Sequence, residues 1–291
     1  MEIRVLQYFL AVAREQSISA AAQSLHLSQP TLSTQLKALE QELGHQLLIR
    51  GTKGSRKVTL TEEGMILRKR AEEILTLVDK AQEEIAHGDG VVEGEVSIGA
   101  GETDTVRLFA RAVESLRRQH PGIRLRISSG NSIYVLEQLD KGLIDFGLLF
   151  GEVDPHKYQS LTLPTRDVWG VLMRRDSPLA DKESISPQDL WDKPLILSHQ
   201  RGGGVFQWLG REPSQLQVVA TYNLVYNASL LVDEGLGYAL CFDKLINTQG
   251  SSLVFRPLEP PMWAEAHVVW KKYQVFSKAA RLFLEELTGN L

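Results

Sequence analysis

Residues 17–44, SISAAAQSLHLSQPTLSTQLKALEQELG, decide the architecture of the first part of the chain. Ser17 and Ser19 are candidate caps for a short helix over AAAQSL, whose alanines cost little helix propensity and let a neighbouring helix approach closely. Leu25-His26-Leu27 makes a turn. Ser28 then caps a further helix with Gln29 and Pro30 in its first turn, where proline has no intrahelical hydrogen bond to lose, and Gly44 stops it. Leu32, Leu36, Leu39 and Leu43 recur at helical spacing and predict a buried stripe. The opposite face carries Thr34 and Lys37, flanked by Pro30, Thr31 and Ser33. These are polar groups of a size suited to base edges and phosphates in a major groove. On periodicity alone the same stripe suits a plain helical core unit.

The flanking segments favour a nucleic-acid reader. Upstream, Leu6, Phe9, Leu10 and Ala13 predict a helix with one buried face. Downstream, LLIRGTKGSRKVTL (47–60) is two short apolar-ended runs around a glycine-containing turn, a hairpin that clusters Arg50, Lys53, Arg56 and Lys57 where phosphate contact positions a reader without specifying sequence. Thr61 with Glu62 and Glu63 opens a long helix, a capping hydroxyl preceding carboxylates that the macrodipole favours. Its apolar positions, Leu67, Ala71, Ile74, Val78, Ala81 and Ile85, alternate steps of four and three. That is a heptad seam able to pair two chains. His87-Gly88-Asp89-Gly90 reads as a linker.

From Glu95 the pattern changes. Strand VSIGA, a helix near 103–119, strand IRLRIS, a helix near 132–141 and strand IDFGLLF make a βαβαβ run, which implies a mostly parallel sheet covered by helices. A second set follows, with strands near WGVLMR, PLILS, LQVVAT and GYAL and a helix near 223–234. Strand EAHVVWKK and a last helix ending at Leu287 are placed to return to the first sheet. Two α/β lobes joined by two crossings leave a cleft between them, where small ligands commonly bind.

Length, charge and cysteine content agree. A chain of 291 residues exceeds one ordinary core, and 43% hydrophobic with 23% charged residues is a globular composition with no window apolar enough to span a bilayer. The N-terminus reads as a folded helix rather than a signal peptide. The net charge of −4 divides unevenly: residues 1–60 hold seven basic and four acidic side chains, a net +3, which leaves −7 for the rest. The footprint for a polyanion therefore lies in the first segment. The single cysteine, Cys241, excludes an intramolecular disulfide and a cysteine-based zinc cluster and fits a reducing cytoplasm.

These segments carry a resemblance that runs the whole length of the chain. LQYFLAVAREQSISAAAQSL, LHLSQPTLSTQLKALEQELG, LLIRGTKGSRKVTLTEEG and, further on, HPGIRLRISSG, LDKGLIDFGLLF and LLVDEGLGYAL are similar to stretches of the LysR family of bacterial transcription regulators. Cys241-Phe242 departs from the leucine-proline pair that members often carry after GYAL. The resemblance implies an α/β protein overall. A winged helix-turn-helix would span 1–60, a linker and dimerisation helix 61–90, and an effector domain like the type 2 periplasmic binding proteins 91–291. Its first lobe would be 92–162 plus 267–291, and its second 163–266. The recognition helix would present Ser28, Gln29, Pro30, Thr31, Ser33, Thr34 and Lys37.

Family ligand sites lie between the lobes at helix starts. The corresponding positions here are Gly101 and Thr103, Asn131, Phe150, the loop 198–204 with Ser198, His199, Arg201 and Gly202, and Tyr222 with Asn223. Helix-start N–H groups and Arg201 suit an anionic group. Glu102 and Asp104 beside Thr103 either oppose a carboxylate or select a ligand with a cationic group. The 198–204 stretch also reads as a plain loop.

The implied partners are double-stranded promoter DNA, a small-molecule effector and further copies of the chain in a homodimer or homotetramer, the resemblance favouring the tetramer. RNA polymerase is a further candidate partner. No cofactor, metal or membrane is implied, and the expected location is the cytoplasm. Enzyme chemistry finds no support. His199 beside Ser198 lacks a third orienting group, the remaining histidines lack metal-ligand spacing, and Gly202-Gly203-Gly204 lacks the strand and helix context of a dinucleotide site. The competing reading is a small-molecule-binding protein whose N-terminal helices serve only for dimerisation.

Overall fold

The computed structural model describes residues 1–51, 57–85, 91–151, 153–199 and 204–289, which form two compact units, 1–87 and 88–291. Lys53, Arg56, Arg201, Gly202 and the proposed linker at 87–90 lie outside the described residues.

In the first unit, α1 (Ile3–Glu15) buries Val5, Leu6, Phe9, Ala11 and Val12. α2 (Ile18–Ser24) starts at Ser17, whose hydroxyl accepts from the Ala20 amide at 3.3 Å. α3 (Gln29–Leu43) starts at Ser28, which accepts from the Thr31 amide at 3.2 Å, and ends at Gly44 with φ 70°. Leu32, Leu36 and Leu39 are buried against α1 and α2. Each such leucine contributes about 1.5–3 kcal/mol. Leu43, expected in the same stripe, is 37% exposed, because it is the last helical residue and stands beyond the core that α1 and α2 supply.

Strands β1 (Leu48–Arg50) and β2 (Val58–Leu60) pair antiparallel, with Arg50 opposite Val58. α4 (Glu62–Ile85) follows directly. The Thr61 hydroxyl accepts from the Gly64 amide at 2.9 Å and donates to the Gln46 carbonyl at 2.7 Å, so the cap also ties the helix to the loop after α3. Gly64 is required there, since a Cβ would stand 2.2 Å from the Leu47 carbonyl oxygen.

The second unit is built on a nine-stranded sheet. Its elements in chain order are β3 (Gly94–Ala100), α5 (Val106–Arg117), β4 (Ile123–Ser129), α6 (Ser132–Asp140), β5 (Phe146–Phe150), β6 (Tyr158–Arg174), β7 (Leu195–Ser198), α7 (Val205–Leu209), β8 (Val218–Tyr222), α8 (Val225–Asp233), β9 (Tyr238–Phe242), β10 (Leu253–Pro257), β11 (Trp263–Lys271) and α9 (Lys278–Gly289). The strand order is β4-β3-β5-β11-β6-β9-β7-β8, with β10 also on β6. β3 is parallel to β4 and β5, and β7 is parallel to β8 and β9. These two parallel groups are the two lobes. The strands joining them, β6 and β11, run antiparallel to each other. β11 closes the first group by pairing with β5, and the last residues of β6 belong to the second group by pairing with β9 and β10. Separate buried clusters sit under each half, one around Ile98, Phe109, Phe146 and Phe283, another around Val171, Leu195 and Leu240.

Two strand features depart from the sequence reading. β6 begins at Tyr158, eleven residues before the expected start at Trp169, and β10 was not expected. Pro164 falls within the early part of β6. It is tolerated because the ladder to β11 skips there, Thr162 pairing with His267 and Arg166 with Glu265, so no cross-strand bond requires its missing N–H.

Candidate DNA-reading surface and ligand cleft

α3 is anchored by its leucines, so the residues between them are held toward solvent. Gln29, Pro30, Thr31, Thr34 and Lys37 are exposed. Their hydroxyls differ in what remains free. Ser28 and Thr31 share a hydrogen bond at 2.7 Å, and the Thr34 hydroxyl donates back to the Pro30 carbonyl at 2.9 Å, leaving its lone pairs and methyl outward. Lys37 has no hydrogen-bond or ion-pair partner among the described residues.

Ser33 and Arg50 behave differently. Ser33 is half-buried, and its hydroxyl accepts from Arg50 Nη1 at 3.4 Å. Arg50 Nη2 lies 3.6 Å from Glu40 Oε2 and is buried without a hydrogen-bond partner. Glu40 Oε1 accepts from the amides of Leu47 and Leu48 at 2.9 and 3.1 Å. Lys57, at the other side of the hairpin, is exposed.

In the second unit the C-terminal ends of the parallel strands from both halves converge. The Gly130 amide donates to the Ala100 carbonyl at 3.0 Å, which sets Gly101 beside Asn131. Asn131 caps α6 by accepting from the Tyr134 amide at 2.8 Å. Glu102 reaches across to the other half, where its carboxylate accepts from the Val225 amide at the start of α8. Thr103 is buried, donates to the Asp167 carboxylate and accepts from the Thr105 amide at 3.0 Å, so its proton is already committed. The Thr105 and Thr165 hydroxyls are 3.2 Å apart. Phe150 packs on Phe242 at 5.1 Å between centroids, and Phe242 on Trp169 at 4.5 Å. On the far wall the His199 amide donates to the Tyr222 carbonyl at 2.6 Å, and the Tyr222 hydroxyl donates to the Leu240 carbonyl at 2.7 Å. Asn223 is exposed, and Ser198 is half-buried.

The geometry thus brings Gly101, Thr103, Phe150 and the segment from Tyr222 to one region, the end of an open parallel sheet where ligands bind in this class of fold. Asp167 and Phe242 join them without having been named from sequence. Asp167 stands between Thr165-Arg166 and the apolar run VWGVLM, where a carboxylate reads as an ordinary polar strand start, so local reading passes over it. Burial raises its pKa, and the Thr103 hydrogen bond only partly opposes that. Phe242 is one half of the departure from the leucine-proline pair. Its neighbour Cys241 is buried, and desolvation raises its thiol to about 12.

A winged helical reader joined to a two-lobed α/β domain with a crevice at its strand ends defines a ligand-responsive DNA-binding regulator. Comparison with known proteins agrees. Residues 89–291 match the LysR substrate binding domain, and residues 3–65 match the bacterial regulatory helix-turn-helix protein of the lysR family. The HTH-type transcriptional regulator BsdA of Bacillus subtilis (strain 168) is 33% identical over 75% of this chain and 74% of its own length. BudR of Raoultella terrigena is 27% identical over 98% of this chain and 99% of its own. Among solved structures, CbnR, a LysR family transcriptional regulator, superposes with a TM-score of 0.76 at 21% identity, covering 99% of both chains. The chain belongs to the LysR family: it is a DNA-binding transcription regulator with a substrate-binding effector domain, and not an enzyme. That removes the reading in which the N-terminal helices serve dimerisation alone.

Proposed function

We propose that the chain works in the cytoplasm as a homo-oligomer that reads promoter DNA with the outer face of α3 and responds to a small metabolite held between the two lobes. The observation that carries the first part is the exposed row of Gln29, Thr34 and Lys37, held outward by three buried leucines. The wing residues Lys53, Arg56 and Lys57 are assigned to phosphates, and Gly101, Asn131, Phe150, Ser198, His199, Arg201, Gly202, Tyr222 and Asn223 to the ligand. Thr103 serves that site by holding Asp167 in place. Glu102 already supplies a carboxylate to α8, so an anionic part of the ligand belongs beside Asn131 and Arg201, and a cationic or hydrogen-donating part beside Glu102. The division into reader 1–60, linker 61–90 and effector domain 91–291, with RNA polymerase as a downstream partner, belongs to the same reading. Signalling through the cysteine is disfavoured, since a buried thiol at about 12 supplies no thiolate at neutral pH.

The test is a titration of the full chain against two duplexes of equal length, one selected by the protein from a random-sequence library and one random, at several salt concentrations. Binding to the selected duplex is expected to be at least 10³-fold tighter, and Lys37→Ala to flatten the slope of log affinity against log salt by about 0.9 for the one phosphate no longer neutralised. Equal affinity for the two duplexes would refute sequence-specific reading by this chain.

A further inference from the structure

We propose that Arg50 is a positioning residue, which with Glu40 and Ser33 fixes the recognition helix against the wing, and that it makes no phosphate contact. The inference rests on α3 being the reader. From sequence, Arg50 belongs with the basic cluster of the hairpin and should face the polyanion. In the fold its guanidinium turns toward α3, with the side chain half-buried. Nη1 is given to Ser33 in the middle of α3, and Nη2 is buried 3.6 Å from Glu40 on the same helix.

Glu40 is the centre of the arrangement. Its side chain is only 16% exposed, and its two oxygens have separate tasks. Oε1 takes the amides of Leu47 and Leu48, the residues that lead from α3 into β1, and Oε2 faces the guanidinium at the end of that same strand. One carboxylate therefore joins the helix to both ends of the first wing strand. A buried carboxylate with two backbone donors would remain satisfied without Arg50. The Arg50 side chain is 35% exposed, but its buried Nη2 would lose the nearby carboxylate without Glu40, and arginine cannot shed its charge. Arg50 opposes Val58 in the hairpin register, so its orientation is passed to β2 and to Lys57 beside it. A planar fork suits this place better than a point charge, since one nitrogen donates to the Ser33 hydroxyl while the other faces the Glu40 carboxylate at 3.6 Å as an ion pair.

The two roles differ in what they do to salt dependence. A phosphate contact releases counterions, and its removal flattens the dependence for every sequence. A positioning residue leaves the number of phosphates neutralised nearly unchanged but aligns the base contacts, so that without it the selected and random duplexes become harder to distinguish. Full-length Arg50→Met and Arg50→Lys are compared with wild type and Lys37→Ala on the two duplexes described above. Both Arg50 variants are expected to lose at least tenfold in the ratio of selected to random binding, with the salt slope on random duplex unchanged. Glu40→Gln should do the same and should speed hydrogen exchange at the Leu47 and Leu48 amides, and adding Arg50→Met to it should cost little more.

A flattened slope in Arg50→Met that Arg50→Lys restores, with the specificity ratio intact, would make Arg50 a phosphate contact and overturn the proposal. Wild-type specificity and slope in both Arg50 variants would overturn it equally. If Lys37→Ala alone leaves the slope unaltered while the Arg50 variants lose specificity, the assignment of Lys37 fails and the positioning role stands.

Discussion

At the scale of single residues, what α3 can offer a base, if it is the reading helix as proposed, is set by what each hydroxyl has left. Thr34 spends its proton on the Pro30 carbonyl at 2.9 Å, so toward a base it is an acceptor with a methyl group beside it. It can accept from the exocyclic amino group of adenine or cytosine, or cover the methyl of thymine, but it cannot donate. Thr34→Val keeps the shape and deletes the acceptor, and back-bonding of this kind adds little to helix stability. The expected result is a loss of about 1–3 kcal/mol confined to one base position, read from binding to a set of duplexes each carrying one substituted pair. Wild-type preference at every position would remove Thr34 from the base contacts.

At the scale of elements, α4 divides into a part that packs on its own reader and a part whose apolar positions are largely exposed within the unit 1–87 among the described residues. Leu67 packs against the helix-turn-helix core and Ala71 is fully buried beside α1, whereas Ala81 is exposed and Ile85 is 72% exposed. Ile74 and Val78 are half-buried between these regions. The heptad spacing was legible in the sequence because it needs only periodicity. Which half of it faces home was not, because that depends on α1, sixty residues away. The same division runs through the rest of the fold. Caps at Ser17, Ser28 and Thr61 and most strands were visible as local signals. The early part of β6, the strand β10, the turn of Arg50 toward α3 and the pairing of Thr103 with Asp167 all depend on partners distant in the chain. For α4 the consequence is that Val78→Glu with Ile85→Glu should turn the oligomer into smaller species while circular dichroism retains the helical signal, since the reader keeps Leu67 and Ala71. Ala71→Glu should instead unfold the reader, burying a charge without a partner. Sedimentation of the Val78/Ile85 double variant as an unaltered oligomer would place the subunit interface elsewhere.

At the scale of the whole molecule, polar contacts join the two halves of the effector domain, and among them Asp167 is a buried carboxylate with a raised pKa. It lies on β6, the strand shared by both halves, is 5% exposed, and receives the hydroxyl of Thr103 from the first half. Desolvation raises its pKa above the ordinary 3.8, with the nearby charge of Asp104 adding to the rise, while the Thr103 hydrogen bond, an Asp104 backbone hydrogen bond and the charge of Lys244 lower it. The folded state therefore binds this proton more tightly than the unfolded chain. What the group contributes to stability is fully present below the unfolded pKa and is lost as pH rises through the raised folded value. Asp167→Asn removes that loss while leaving a carbonyl oxygen to accept from Thr103. The difference between variant and wild type should be small in acid and grow in favour of asparagine from about pH 4 toward neutrality. All five tryptophans, Trp169, Trp191, Trp208, Trp263 and Trp270, lie in the unit 88–291, so intrinsic fluorescence of the intact protein follows this domain without interference from the reader. Thermal or urea unfolding followed by that signal at several pH values tests the point. If wild type is the more stable at every pH, with its lead widening as pH rises, the carboxylate is instead held ionised by its hydrogen bonds and burial does not dominate at this site.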